Sequence, residues 1–91
     1  MNEIDYSEDK KSLINRLKRV EGQIRGVTKM LENDEYCPDI LIQVSAATAA
    51  LNSFSKSLLT EYLKTTVAGD LRDGKTESLD DLVLTVRKMF K

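Results

Sequence analysis

Histidine and tryptophan are absent from this 91-residue chain, and cysteine and proline occur once each. Without an imidazole no Ser-His-Asp or Cys-His constellation can form, and no imidazole-based zinc centre. A single cysteine cannot close an intrachain disulfide, and Cys37 with carboxylates alone makes a poor transition-metal site. The four glycines stand at 22, 26, 69 and 74. None follows a strand pattern, so there is no glycine-rich phosphate loop. No apolar run approaches the roughly 18 residues of a membrane span, and Met1–Lys11 carries no signal-peptide pattern. These absences predict a cytoplasmic protein with no membrane partner and no enzymatic site.

What is present is helical. Hydrophobic residues make up 41% of the chain, charged residues 32%, and the net charge is −1. Such a composition suits one small all-α domain over residues 1–91, whose limited core calls for oligomerisation. Leu13, Leu17, Val20, Ile24, Val27 and Leu31 recur at alternating spacings of four and three, a heptad seam that predicts a helix over about 8–32. Ser7 can cap it, Glu8 and Asp9 suit its first turn, and Asn33-Asp34 stops it. Pro38 stands where a helix favours proline, at its first position. From there Ile40, Val44, Ala47, Leu51, Phe54, Leu58 and Tyr62 form a second seam, with Val67 and Leu71 beyond. The pattern predicts a second helix over about 38–73, roughly 50 Å long at 1.5 Å per residue. That length exceeds what a monomer of this size can cover and implies a partner. Gly69 weakens its far end by about 1 kcal/mol against alanine. A third helix is expected over 79–90, capped by Ser78 with Asp81 in the place of the usual glutamate.

The net charge conceals an asymmetry. Lys10, Lys11, Arg16, Lys18, Arg19, Arg25 and Lys29 all lie in the first helix, opposed between 10 and 29 only by Glu21. Arg16, Arg19 and Gln23 share one helical edge, while Lys11, Lys18, Arg25 and Lys29 share another. Arginine forks onto phosphates, and glutamine reaches a base edge or a phosphate. The face therefore reads either as a nucleic-acid surface or as an ordinary solvated one, and the overall pI near 5.4 favours the second.

The stretch "INRLKRVEGQIRGVTKMLENDEYCPDILIQVSAATAAL", residues 14–51, resembles the core signature of the CsoR/RcnR/FrmR family of bacterial repressors. The likeness continues through "LLTEYLKTTVAGDLRDG" and "SLDDLVLTVRKMFK", covering nearly the whole chain. It implies a three-helix protomer with a very long second helix, an antiparallel homodimer, and a disc-shaped homotetramer of two stacked dimers. It also implies operator DNA as partner, held by basic residues that match here Arg16, Lys18, Arg19, Gln23 and Arg25. An effector at an inter-subunit site then releases the DNA.

The same resemblance assigns the effector site. Cys37 fills the cysteine position that family members place at the start of the second helix. Copper sensors add a histidine 25 residues on and a cysteine 29 residues on; these positions hold Tyr62 and Thr66. Nickel sensors need several histidines. The formaldehyde-responsive branch uses an N-terminal proline and a later histidine, where this chain has Met1-Asn2-Glu3 and Tyr62. Persulfide-responsive members carry a second cysteine at the position of Thr66. Tyr36 and Asp81 match an outer hydrogen-bond tie to the third helix, with aspartate shorter than the usual glutamate.

Cys37 and Tyr62, 25 residues apart on one helix, are separated by roughly 37 Å, so the site must form between protomers. A thiol at a helix N-terminus faces the positive end of the helix dipole and free backbone N–H groups, which suits a reactive or ligating sulfur. Asp34, Glu35 and Asp39 act against it. A free cysteine is also commonly a small buried hydrophobe. Three readings follow. The first is a repressor whose small-molecule or redox inducer acts on Cys37 by thiol chemistry (an aldehyde, a persulfide or an oxidant), with no resident cofactor. The second is a repressor sensing Cu(I) or another metal through a degenerate site at Cys37. The third is a helical assembly protein that binds no DNA.

Overall fold

The computed structural model describes residues 8–90, and every regular element among them is helical. Helix α1 spans Glu8–Glu32 and α2 spans Cys37–Tyr62. A five-residue π-turn follows at Leu63–Val67, then a short α3 at Ala68–Arg72 and α4 at Glu77–Met89. Ser7, expected as the cap of α1, lies outside the described residues. The chain divides into two compact units, one over 8–58 and one over 59–90, with the boundary inside α2.

In the first unit α1 and α2 run antiparallel about the turn at 33–36, as the bonds from Arg16 to Ser53 and Ser57 require. The turn is a Schellman motif: Glu35 N–H donates to the Met30 carbonyl at 3.0 Å and Asp34 N–H to the Leu31 carbonyl at 3.1 Å. Asp34 takes a left-handed backbone, φ 54°, where glycine is usual. The heptad seam of α1 is only half used. Leu13 and Val20, seven residues apart, are buried, whereas Leu17, Ile24 and Leu31 on the companion stripe are exposed. On α2 Ala47 is buried, while Leu41, Ile42, Val44 and Leu51 are exposed.

In the second unit the long helical run expected to stay α-helical to residue 73 changes register instead. The Ala68 N–H bonds the Leu63 carbonyl, five residues back rather than four. Thr65 Oγ1 donates to the Glu61 carbonyl at 2.7 Å, giving this turn a side-chain partner where the backbone ladder shifts. The physical reason lies in the spacing of the apolar residues. Tyr62 and Val67 are five apart, and an α-turn would place Thr65 and Thr66 on the seam in Val67's stead. The wider π-turn absorbs the extra residue, and Val67 becomes the most enclosed core residue, 2% exposed.

The run ends in a second Schellman turn, with Lys75 N–H on the Asp70 carbonyl at 2.8 Å and Gly74 N–H on the Leu71 carbonyl at 3.1 Å. Here the left-handed position, φ 77°, is a glycine. Helix α4 folds back against the π-turn. Its cap corrects the sequence expectation. Thr76 is the N-cap residue, with its hydroxyl 3.4 Å from Asp80 Oδ2, and Ser78 lies inside the first turn. The helix begins at Glu77, two residues before the expected start, and the Thr76 side chain makes no capping bond to its backbone. The Ser78 hydroxyl is buried with no hydrogen-bond partner.

Candidate effector site and nucleic-acid interface

Cys37 is the first residue of α2 and its thiol is free and exposed. The turn that delivers it is closed by backbone bonds from Asp39 and Ile40 N–H to the Tyr36 carbonyl, at 3.0 and 3.2 Å. Pro38 sits one residue into the helix, where its lack of an N–H removes no intrahelical bond. Tyr36 is exposed beside the thiol. The buried-filler role is thereby excluded for Cys37 within the single chain.

Tyr62 is the last residue of α2 and Thr66 lies inside the π-turn; both are half-buried. Asp81 is exposed on α4. Cys37 and Tyr36 thus belong to the first unit, and Tyr62, Thr66 and Asp81 to the second. Among the described residues no three histidine, cysteine, aspartate or glutamate side chains gather in a way that could hold a metal ion.

The basic face lies on α1. Lys18, Arg19, Gln23 and Arg25 are exposed. Lys11, Ser12, Asn15, Arg16 and Arg19 line an open concavity along the helix. Arg16 differs from the others. Its Nη1 donates to Ser57 Oγ at 2.7 Å, and lies 3.4 Å from Ser53 Oγ and 3.5 Å from the Ser53 carbonyl. Sequence reasoning placed Arg16 on the basic edge but missed these partners on α2. The available signal was two serines at i, i+4, level with Arg16 once the chain folds back at residues 33–36. Lys11 and Asn15 also join Arg16 and Arg19 around the concavity, a grouping the helical edges alone did not single out.

The model of the family described as metal-sensitive transcriptional repressor matches residues 9–88. The chain belongs to that family. It is 43% identical over 84 residues to the copper-sensing transcriptional repressor CsoR of Bacillus subtilis, covering 92% of this chain and 83% of that protein. It is 45% identical over 69 residues to the copper-sensing transcriptional repressor RicR of Mycobacterium tuberculosis, covering 76% and 72%. The crystal structure of the copper-sensing repressor CsoR with Cu(I) from Geobacillus thermodenitrificans superposes with a TM-score of 0.91 at 40% identity, over 100% of this chain and 95% of that one. Family membership makes the chain a transcriptional repressor rather than an enzyme, and removes the reading as an assembly protein with no regulatory role. None of its described helices is long and apolar enough to cross a membrane.

Proposed function

We propose that the chain is a cytoplasmic, operator-binding repressor, one functional domain per protomer, whose inducer acts on the Cys37 thiol. The carrying observation is that this one sulfhydryl is exposed at the start of α2 in a chain without histidine. The proposed assembly is an antiparallel dimer stacked into a tetramer. It is supported by the uncovered stripe of Leu17, Ile24 and Leu31 and by the exposed Leu41, Ile42, Val44 and Leu51. In that assembly Cys37 of one protomer meets the Tyr62 and Thr66 positions of another, with Tyr36 and Asp81 as the outer tie. Operator phosphates are held by Arg16, Lys18, Arg19 and Arg25, with Gln23 on a phosphate or a base edge.

The inducer class follows from the donors. A tight trigonal Cu(I) centre draws on thiolates and imidazole, and Tyr62 and Thr66 supply only hard oxygens. The residues therefore do not fit such a centre, and a thiol-reactive inducer (an aldehyde, persulfide or oxidant) fits better. The copper-sensing roles of the relatives favour a second reading, Cu(I) or another metal at a degenerate site around Cys37.

One assay tests both readings. A labelled duplex from upstream of the chain's own coding sequence is titrated with protein, then challenged anaerobically with formaldehyde, a persulfide, a mild oxidant and Cu(I). Release by a thiol-reactive compound and not by Cu(I) is expected. Release by stoichiometric Cu(I) alone overturns the thiol reading in favour of the metal.

A further inference from the structure

Arg16 is tied across to α2 by its guanidinium. Its partners among the described residues are all neutral oxygens on α2: Ser57 Oγ at 2.7 Å, Ser53 Oγ at 3.4 Å and the Ser53 carbonyl at 3.5 Å. One guanidinium nitrogen is committed to them. Among the described residues no carboxylate pairs with the remaining donors or the positive charge. The same side chain lines the concavity with Lys11, Asn15 and Arg19. An arginine meant only to join two helices would gain more from an acidic partner, which adds opposite charge and a bidentate fork to the hydrogen bond. Two hydroxyls instead fix the rotamer and leave the charge for an outside anion.

We infer that Ser57, assisted by Ser53, is a positioning residue for operator binding: it presets the Arg16 guanidinium toward a DNA phosphodiester. This inference rests on the proposed operator-binding role of α1. An arginine loses considerable rotamer freedom when it grips a phosphate, and presetting removes that loss from the binding step. The serines also lie on the helix that begins with Cys37, so the grip joins the effector helix to the operator helix by a direct hydrogen bond.

The test measures affinity for the same upstream duplex across a salt series, in full-length protein whose helicity and size are checked first. Ser57→Ala is expected to weaken binding about 3- to 10-fold with an unchanged salt slope, since the number of phosphates engaged is the same. Ser57→Thr, which keeps the hydroxyl, restores affinity. Arg16→Ala weakens binding and lowers the slope by about one for each protomer whose Arg16 engages a phosphate. In the Arg16→Ala background the effect of Ser57→Ala disappears, the signature of a residue acting through another. If Arg16→Ala weakens binding and Ser57→Ala does not, the positioning role is overturned and the operator role of α1 stands. Equal losses from Ser57→Ala in both backgrounds also overturn it. If Arg16→Ala changes nothing, the operator role of Arg16 falls first.

Discussion

The long helical run from Cys37 to Arg72 has two unlike ends. At its start the helix is regular, opened by Pro38, and it presents a soft, exposed sulfur. At its far end the backbone loosens into a π-turn, and the side chains proposed to face the thiol of another protomer, Tyr62 and Thr66, carry hard oxygens. Both ends adjoin a Schellman turn, but the turn before Cys37 forces an aspartate into the left-handed region, whereas the one after the π-turn uses glycine. Chemistry and irregularity have thus been separated. The thiol end holds the exposed sulfur and a strained residue three positions before it, while the far end holds the register change that keeps Val67 in the core.

The largest expected effect comes from removing the chemistry of the first end. Cys37→Ala should bind the upstream duplex as tightly as the unaltered protein yet lose inducer-dependent release completely, because no other thiol or imidazole can substitute. Alanine at an exposed site leaves no cavity, so folding is retained. Normal release by this variant, read by fluorescence anisotropy, would place sensing elsewhere.

Giving the far end soft ligands should erase the difference between the two. Tyr62→His combined with Thr66→Cys is expected to raise Cu(I) affinity by orders of magnitude in a competition titration with a chelator. The same change in a Cys37→Ala background should give far less. If the two backgrounds bind alike, the two ends do not share one site across protomers.

The turns should respond in opposite directions. Gly74→Ala puts a Cβ on a left-handed backbone and should cost about 1–2 kcal/mol. Ser78→Ala, which removes a buried hydroxyl lacking a partner, should stabilise by about 1 kcal/mol. Asp34→Gly should be the mildest change, a gain of about 0.5–1 kcal/mol, because aspartate tolerates the left-handed region better than most residues. Chemical denaturation at fixed protein concentration ranks the three, and a loss of stability in Asp34→Gly would show that the aspartate side chain contributes something glycine cannot.

Periodicity made the helices legible. The 4-3 spacing from Leu13 to Leu31 predicts a helix over 8–32, and α1 runs Glu8–Glu32. The Cys-Pro pair marked the start of α2, and the Asp73-Gly74 pair marked where the long run stops. The π-turn was not legible, because one extra residue between Tyr62 and Val67 reads in sequence as a shift of phase. Its trace was the five-residue step between the two apolar positions. Ser53 and Ser57 went unread for a different reason. Helical spacing says which residues share a face, and the fold-back at 33–36 decides which face they meet. Of the effector site, the thiol at the head of a helix could be read directly. The rest, in the proposed assembly, comes from a second protomer, which the 25-residue spacing of Cys37 and Tyr62 implies without showing how the two chains meet.

The uncovered stripe of Leu17, Ile24 and Leu31 has a consequence for dosage. In the proposed assembly a protomer that buries so few of its own apolar side chains gains its stability by assembling, so folding and self-association would share one mass-action equilibrium. Dilution then depletes the folded species itself, and its melting temperature rises with total protein. Inside a cell, occupancy of the operator would fall off more steeply than in proportion as copy number drops. Control by such a repressor has a threshold set by its own abundance, before any inducer arrives.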